Sequence, residues 1–167
     1  VQSVGVKTTS VISLGRSNSD LPFVSVLMPV RNVADFIVRS LGAVLAQNYP
    51  HELLEVIIAD GTSTDDTVDR ILRVSARSDI RVKTIQNPKK IAPAALNIAI
   101  ANACGDIFVR VDGHCEIEPD YVAICVKHLM SGTADGVGGP IETIGSGWQA
   151  EAISLAMSSK FGVGGSA

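Results

Sequence analysis

The chain has 167 residues, of which 46% are hydrophobic and 4% aromatic, and its formal charge is −3. This length and apolar content suffice for one closely packed aliphatic core, so we expect a single domain. The negative charge and the lack of a Lys/Arg cluster argue against a nucleic-acid partner, which would require a basic face.

The cysteines and the apolar stretches bear on location. The three cysteines form no CxxC pair, which favours a reducing compartment over a disulfide scaffold. The longest uncharged stretch, residues 91–105, is too short to span a bilayer and contains Pro93. We therefore expect a cytoplasmic protein, with attachment to the inner face of the membrane left open through regions outside this sequence.

Domain boundaries follow from composition. Residues 1–22 are predicted to be an N-terminal extension, with a short alternating run at 11–14 and a polar linker. Residues 23–167 are predicted to form one domain. The first residue is not Met and the last seven form a Gly-rich turn, so we expect a fragment of a longer protein.

The first strand–loop–helix unit begins at Val24. Residues Val24–Met28 predict a strand that Pro29 ends, because proline cannot donate to a central ladder. Asn32 is the predicted N-cap of a helix that runs to about Gln47. Apolar residues at three- and four-residue steps predict one buried stripe on that helix.

A second unit follows. Residues Glu55–Ala59 predict a strand, and Ser63 or Thr64 is the expected cap of the next helix, with a buried stripe that includes Ile71 and Leu72. The third strand, Arg81–Ile85, is half polar and is expected near an edge of the sheet.

The remaining elements continue the alternation. Pro93 opens a helix that Gly105 closes, and the apolar run Ile107–Val111 predicts a strand buried on both faces. A helix from Pro119 to about Met130 should end at Gly132. A further strand is expected at 135–144 and a short helix at 147–161.

This alternation predicts an α/β fold, with a mostly parallel central sheet covered by helices on both faces. In such a sheet the loops that follow the strands gather at one edge, where ligands bind. We therefore expect Pro29, Asp60, Asp112 and His114 to lie within reach of one ligand.

Asp112-Gly113-His114 is the triplet with the clearest chemistry. Asp112 and His114 are two residues apart, so both side chains leave the same side of an extended backbone. A carboxylate and an imidazole on one side are two arms of a divalent-metal site. The alternative is an ordinary turn with an exposed histidine.

Three segments in order resemble the inverting family 2 glycosyltransferases of the GT-A fold, which include bacterial exopolysaccharide and succinoglycan-type enzymes. The first is Val24–Asn32, and the second is Val56–Thr67 with its Asp-x-x-Ser-Thr-Asp turn. The third is the series Asn87-Pro88, Ala94-Ala95-Leu96-Asn97, Gly105-Asp106 and Asp112-Gly113-His114.

The resemblance implies a role for each matching position. It implies that Asp112 and His114 occupy the Asp-x-Asp positions and bind Mn²⁺ or Mg²⁺ on the donor diphosphate, with imidazole favouring Mn²⁺. It implies a Rossmann-like nucleotide site that includes Pro29, Val30, Asn32, Asp60, Gly61, Lys90, Asn97 and Asp112. Gly61 stands where many members carry a second acidic residue. Lys89 and Lys90 are either point charges for the diphosphate or solvated loop charges, and Asn97 either contacts the donor or binds a neighbouring loop.

The activity implied is metal-assisted transfer of a sugar, with inversion, from a nucleotide-diphosphate donor, expected to be a UDP-sugar, to a saccharide or lipid-linked acceptor. We assign no catalytic base; Glu142 is the least poor candidate, and we expect weak or absent transfer by these residues alone. Two alternatives remain open: a nucleotidyltransferase-like enzyme, and a non-catalytic interaction module with the same fold.

Overall fold

The computed structural model describes residues 21–139. Strands and helices alternate along this part of the chain, with one 3₁₀ turn at His51–Leu53. The strands are β1 (Val24–Val30), β2 (Leu54–Asp60), β3 (Arg81–Gln86) and β4 (Ile107–Arg110), and the helices are α1 (Ala34–Leu45), α2 (Thr67–Ser75), α3 (Ala92–Asn102) and α4 (Tyr121–Met130).

The four strands form one parallel sheet in the order β3-β2-β1-β4. One face packs against α1, α2 and α4 through a large aliphatic cluster that includes Met28, Ile58 and Leu41. The other face packs against α3 through a smaller cluster around Ile57 and Ala95. The α/β fold with helices on both faces is therefore confirmed.

Strand β1 continues past Pro29 to Val30, so the prediction that Pro29 ends it was wrong. The carbonyl of Val30 accepts from Gly61 on the β2 side, whereas that of Leu27 accepts from Val111 on the β4 side. Because N–H directions alternate along a strand, the missing N–H of Pro29 faces the β4 side. The ladder between β1 and β4 ends at Leu27 and Arg110, and β1 continues to Val30 through its pairing with β2 on the other side.

Strand β4 is not buried on both faces, contrary to the prediction. Within residues 21–139 it pairs only with β1. Val109 faces the large cluster, but Phe108 on the opposite face is 47% exposed. In this part of the chain the residues of α3 that pack on the sheet contact β1 and β2 residues, which leaves this face of β4 open. Strand β3 lies at the other edge, as predicted, with mostly exposed side chains.

Helix α2 begins at Thr67, later than a cap at Ser63 or Thr64 would place it. Its buried residues are Thr67 and Ile71, while Leu72 is 58% exposed, so the predicted place of Leu72 in the stripe was wrong. The helix packs against α1, and Val74 is partly buried against the large cluster.

Gly105 is required for close packing. Helix α3 ends at Asn102, and a Cβ at Gly105 would lie 2.5 Å from the Ser25 nitrogen. The Gly105 N–H donates to Ser25 Oγ at 2.8 Å, and that hydroxyl donates to the buried Glu55 carboxylate at 2.7 Å. This network joins the starts of β1 and β2 to the end of α3.

Contacts divide the chain into two units, residues 1–126 and 127–167. In the second unit α4 ends at Met130, and Gly132 just past its end has a φ of +70° that favours glycine, as predicted. Residues 135–139 form no strand, and the rest of the predicted strand, the helix at 147–161, Glu142 and the run at 11–14 lie outside the described residues. None of the helices within residues 21–139 has the length and apolar character of a transmembrane span.

Candidate active site at the carboxyl ends of the strands

The parallel register brings the ends of β1, β2 and β4 together. Val30 at the end of β1 is paired with Asp60 at the end of β2. On the other side of β1, β4 ends at Arg110, and Asp112 follows two residues later. The predicted site residues on these three strand ends therefore share one edge of the sheet.

At the end of β2, the Asp60 carboxylate is engaged by its own loop. It accepts from the Ser63 N–H at 3.0 Å and from the Ser63 hydroxyl at 2.5 Å, and the residue is only 5% exposed. The Asp60 carbonyl accepts from the Asn87 N–H at 2.7 Å, which ties the end of β2 to the loop after β3. Asp60 thus shapes the loop around it.

Asn32 does not cap α1, contrary to the prediction. Its φ of +50° turns the chain, and its side-chain oxygen accepts from the Thr64 N–H at 2.9 Å. The N–H of Asn32 donates to Ser63 Oγ at 2.9 Å. Asn32 therefore joins the β1–α1 loop to the β2–α2 loop.

The start of α1 is capped from the neighbouring loop instead. The Val33 N–H donates to Thr67 Oγ1 at 2.9 Å, and the Ala34 N–H donates to the Asp65 carboxylate at 3.1 Å. These bonds satisfy N–H groups that a helix leaves without intrahelical partners. The pKa of Asp65 is lowered, chiefly by a hydrogen bond with the Thr67 side chain and further by hydrogen bonds from backbone N–H groups.

Gly61 lies under the side chain of Arg31. A Cβ at position 61 would lie 3.0 Å from Arg31 Cδ, so the arginine stem fills the space that a larger residue would need. The Arg31 guanidinium donates to the Lys90 carbonyl at 3.4 Å, and Lys90 has a φ of +58°. Lys90 is thereby placed beside the β1 loop, with its side chain exposed.

Lys89 and Asn97 are less closely tied to this edge. Lys89 is exposed in the loop before α3, and Asn97 is exposed on α3 itself. Among residues 21–139 no hydrogen bond joins Asn97 to the strand-end loops. Pro29, by contrast, is half-buried beside Val30 at the end of β1.

Arg110 engages both oxygens of Asp112. The two side chains are two residues apart in an extended segment and lie on the same side. Arg110 Nε donates to Asp112 Oδ1 at 2.8 Å, and Nη2 donates to Oδ2 at 3.0 Å. These hydrogen bonds, and then the negative charge of Asp112, raise the pKa of Arg110.

The backbone around Asp112 is anchored from two sides. The buried Ser40 hydroxyl of α1 donates to the Asp112 carbonyl at 3.1 Å. Gly113 is buried, and a Cβ there would lie 2.9 Å from Val30 Cγ1 and 3.1 Å from Val33 Cγ2. Only a glycine lets this loop pack so closely on the end of β1.

Three possible metal ligands meet at this loop. One donor atom from each of Asp112, His114 and Cys115 lies within 4.8 Å of the other two. His114 is exposed, and Asp112 and Cys115 are half-buried. A carboxylate and an imidazole this close fit a divalent cation. Cys115 was not among the predicted ligands, although its place directly after His114 is visible in the sequence.

A groove at the opposite side of the sheet contains none of these groups. It has a volume of about 660 Å³ between α1 and α2 and is lined by Val38, Val74 and three arginines, together with residues that precede β2 and β3. None of the predicted site residues lines it. The converging polar groups at the opposite ends of the strands are the better candidate for chemistry.

The fold is that of GT-A glycosyltransferases. A mannosyltransferase from Pyrobaculum calidifontis, solved with GDP-Man and Mn²⁺, superposes with a TM-score of 0.63 at 30% identity, over 67% of this chain and 33% of the other. TarS from S. aureus, solved with UDP, has a TM-score of 0.58 at 21% identity, over 72% of this chain and 38% of the other.

The chain belongs to glycosyl transferase family 2, which it matches over residues 25–161. It is 40% identical over 113 residues to the succinoglycan biosynthesis protein ExoA of Rhizobium meliloti, covering 66% of this chain and 34% of ExoA. It is 34% identical over 124 residues to the glycosyltransferase AglE of Haloferax volcanii, covering 74% of this chain and 41% of AglE. The chain therefore spans well under half the length of these relatives.

Proposed function

We propose that this chain is the donor-binding part of a glycosyltransferase that uses a nucleotide-diphospho-sugar and a divalent metal, Mn²⁺ or Mg²⁺, and inverts the anomeric centre. The observation that supports this most is the pair Asp112 and His114, close together at the strand edge of a family 2 chain. The similar mannosyltransferase, described with GDP-Man and Mn²⁺, supports the same two ligand classes.

Asp112 and His114 are the residues that would hold the cation. A divalent cation bound there would neutralise charge on the departing diphosphate. Ser40 and Gly113 hold the backbone between them in place, so little ordering is needed when the donor binds. Lys89 and Lys90, exposed on the loop before α3, are proposed to add positive charge at the diphosphate.

The nucleoside is proposed to lie at the ends of β1 and β2. Pro29, half-buried at the end of β1, would provide an apolar wall with the buried Val30 behind it. Gly61, covered by the stem of Arg31, would allow the close packing of the two loops beneath the base. Asn32 and Asp60 would act mainly by fixing the shape of the loops, because their side chains are engaged by Thr64 and Ser63. Asn97 is proposed to reach the donor from α3. UDP remains the expected nucleotide.

The acceptor is proposed to be a saccharide or a lipid-linked saccharide, consistent with the similarity to a succinoglycan biosynthesis protein. We propose a cytoplasmic location, at the inner membrane face when the acceptor carries a lipid. Since no catalytic base is assigned, we expect these 167 residues alone to bind the donor with little or no transfer. Sugar transfer by the isolated chain that Glu142→Gln abolishes would contradict this expectation.

Calorimetric titration of the chain with UDP, GDP and dTDP, with and without Mn²⁺, tests the proposal. We expect metal-dependent binding of at least one diphosphate, and its loss in Asp112→Ala. Glu116→Ala is the matched control, because Glu116 is an exposed acidic residue of the same loop outside the donor cluster. Binding of no diphosphate under any condition would favour a non-catalytic interaction module.

A further inference from the structure

A thiol completes the cluster at the end of β4. The Cys115 N–H donates to the Asp112 carbonyl at 2.9 Å, which closes a tight turn. This turn brings the sulfur within 4.8 Å of a carboxylate oxygen of Asp112 and of a ring nitrogen of His114. Two further cysteines of the described residues, Cys104 and Cys125, are not part of the cluster.

The spacing of the three donors suits one small cation. Zinc binds sulfur at about 2.3 Å and nitrogen or oxygen at about 2.0–2.2 Å, so donors around one tetrahedral ion are roughly 3.5 Å apart. His114 is exposed and Cys115 is half-buried. Rotation of these side chains can therefore close a separation of 4.8 Å while the turn stays as it is.

We propose that Cys115 is a third ligand of this site and gives it a preference for thiophilic divalent cations, Zn²⁺ or Co²⁺, over Mg²⁺. This inference rests on the proposed function, because it takes Asp112 and His114 as the other two ligands. Thiolate and imidazole favour Zn²⁺ and Co²⁺, whereas Mg²⁺ prefers oxygen ligands alone. When the sulfur–metal bond forms, the thiol proton leaves to solvent.

The surroundings of the cluster agree with a site that has one open position. Three protein ligands around a tetrahedral ion leave a fourth position for water or a substrate oxygen. Arg110 holds both Asp112 oxygens, but each oxygen has a second lone pair that faces away from the guanidinium. The cation and Arg110 can thus share the carboxylate.

Titration of the metal-free chain with Co²⁺ tests the inference directly. Coordination by sulfur produces a thiolate-to-cobalt charge-transfer absorption in the near ultraviolet that oxygen and nitrogen ligands do not. We expect this band to saturate in the wild-type chain and in Cys104→Ser, the matched control with an exposed thiol outside the cluster. We expect Cys115→Ser to lack the band.

Zinc affinity, measured by competition with a chromophoric chelator, provides the second readout. Cys115→Ser should weaken Zn²⁺ binding by roughly tenfold or more, since removal of an outer-shell partner alone causes losses of about that size. His114→Ala, at an exposed position, should weaken Co²⁺ binding but keep the charge-transfer band at saturation. Far-ultraviolet circular dichroism of each variant confirms that the chain is folded.

The outcomes separate this inference from the proposed function. A wild-type chain that binds Co²⁺ without the sulfur band, or a Cys115→Ser chain with unchanged Zn²⁺ affinity, overturns the role of Cys115. Mn²⁺-dependent nucleotide binding is measured separately in the same variants. If the sulfur band is present and no nucleotide binds, the metal site stands and the donor-binding proposal fails.

Discussion

An aspartate lies at the end of β2 and another just after the end of β4, but their surroundings differ. At the end of β2, Asp60 is buried and its carboxylate accepts both donors of Ser63. At the end of β4, Asp112 is half-buried and is paired with one exposed arginine side chain. The first carboxylate is engaged by backbone and hydroxyl groups of its own loop, while the second keeps lone pairs and accessible neighbours for a ligand.

This difference shows that position at a strand end does not by itself define a role. The β2–α2 loop offers N–H and hydroxyl donors that also serve Asn32 and the start of α1. The β4 loop turns back through a single backbone hydrogen bond, from Cys115 to Asp112. The carboxylate of the first loop therefore stabilises structure, and that of the second is available for chemistry.

The largest expected effect is the loss of folding stability when Asp60, at the end of β2, is replaced. Asp60→Ala should lower the free energy of unfolding by about 2–3 kcal/mol, because it removes charge-assisted hydrogen bonds at a buried position. Urea denaturation measures the change. Asp112→Ala is the matched comparison and should cost less than about 1 kcal/mol, since it breaks an ion pair in which the arginine is exposed and the aspartate half-buried. Equal losses in the two variants would remove the distinction between the strand ends.

The hydrogen bond from the Ala34 N–H to Asp65, which caps α1 from the β2–α2 loop, should contribute less to stability, and its contribution should depend on pH. Asp65→Ala should destabilise the fold by about 1 kcal/mol at neutral pH, because the Ala34 N–H loses its acceptor. The pKa of Asp65 is lowered in the folded chain. Its stabilising contribution is therefore complete above the ordinary pKa of an aspartate and is lost as the pH falls through the lower folded value.

Denaturation of wild-type and Asp65→Ala chains between neutral and acidic pH tests this dependence. The difference between the two should shrink as the medium becomes more acidic than the folded pKa of Asp65. Asp69→Ala, another exposed acidic residue at the start of α2, is the control and should show a smaller difference. A difference for Asp65→Ala that grows on acidification would contradict the capping role.

The smallest expected effect concerns Arg110. If the guanidinium competes with a cation for Asp112, Arg110→Gln should raise Mn²⁺ affinity by roughly two- to threefold, which corresponds to about 0.5 kcal/mol for an exposed pair. Electron paramagnetic resonance of free Mn²⁺ measures the affinity. Arg39→Gln, which breaks the exposed pair with Glu116, should change it less. Weaker binding in Arg110→Gln would mean that Arg110 orients the carboxylate for the metal.

Several features were predictable because they depend on local pattern. The predicted strand Glu55–Ala59 lies within β2, one of the two inner strands, and the alternation of strands and helices indicated the parallel sheet. Other features depend on distant residues. Asn32 is a residue type that favours the N-cap, yet its side-chain oxygen accepts a hydrogen bond from the N–H of Thr64, 32 residues away. Leu72 fits a helical stripe, but in the folded chain it is 58% exposed, while Ile71 beside it is buried.

The amino-acid sequence by itself determined the fold class, the family and the edge of the sheet at which polar residues gather, since hydrophobic period and ordered motifs are properties of neighbouring residues. Only the tertiary structure decided which of those polar residues are engaged by other loops. It placed the Asp60 carboxylate among donors of its own loop, paired Arg110 with Asp112 and turned the chain so that the Cys115 sulfur lies near the Asp112 carboxylate. Whether a carboxylate is free to bind a ligand depends on groups that the chain brings near it only when it folds.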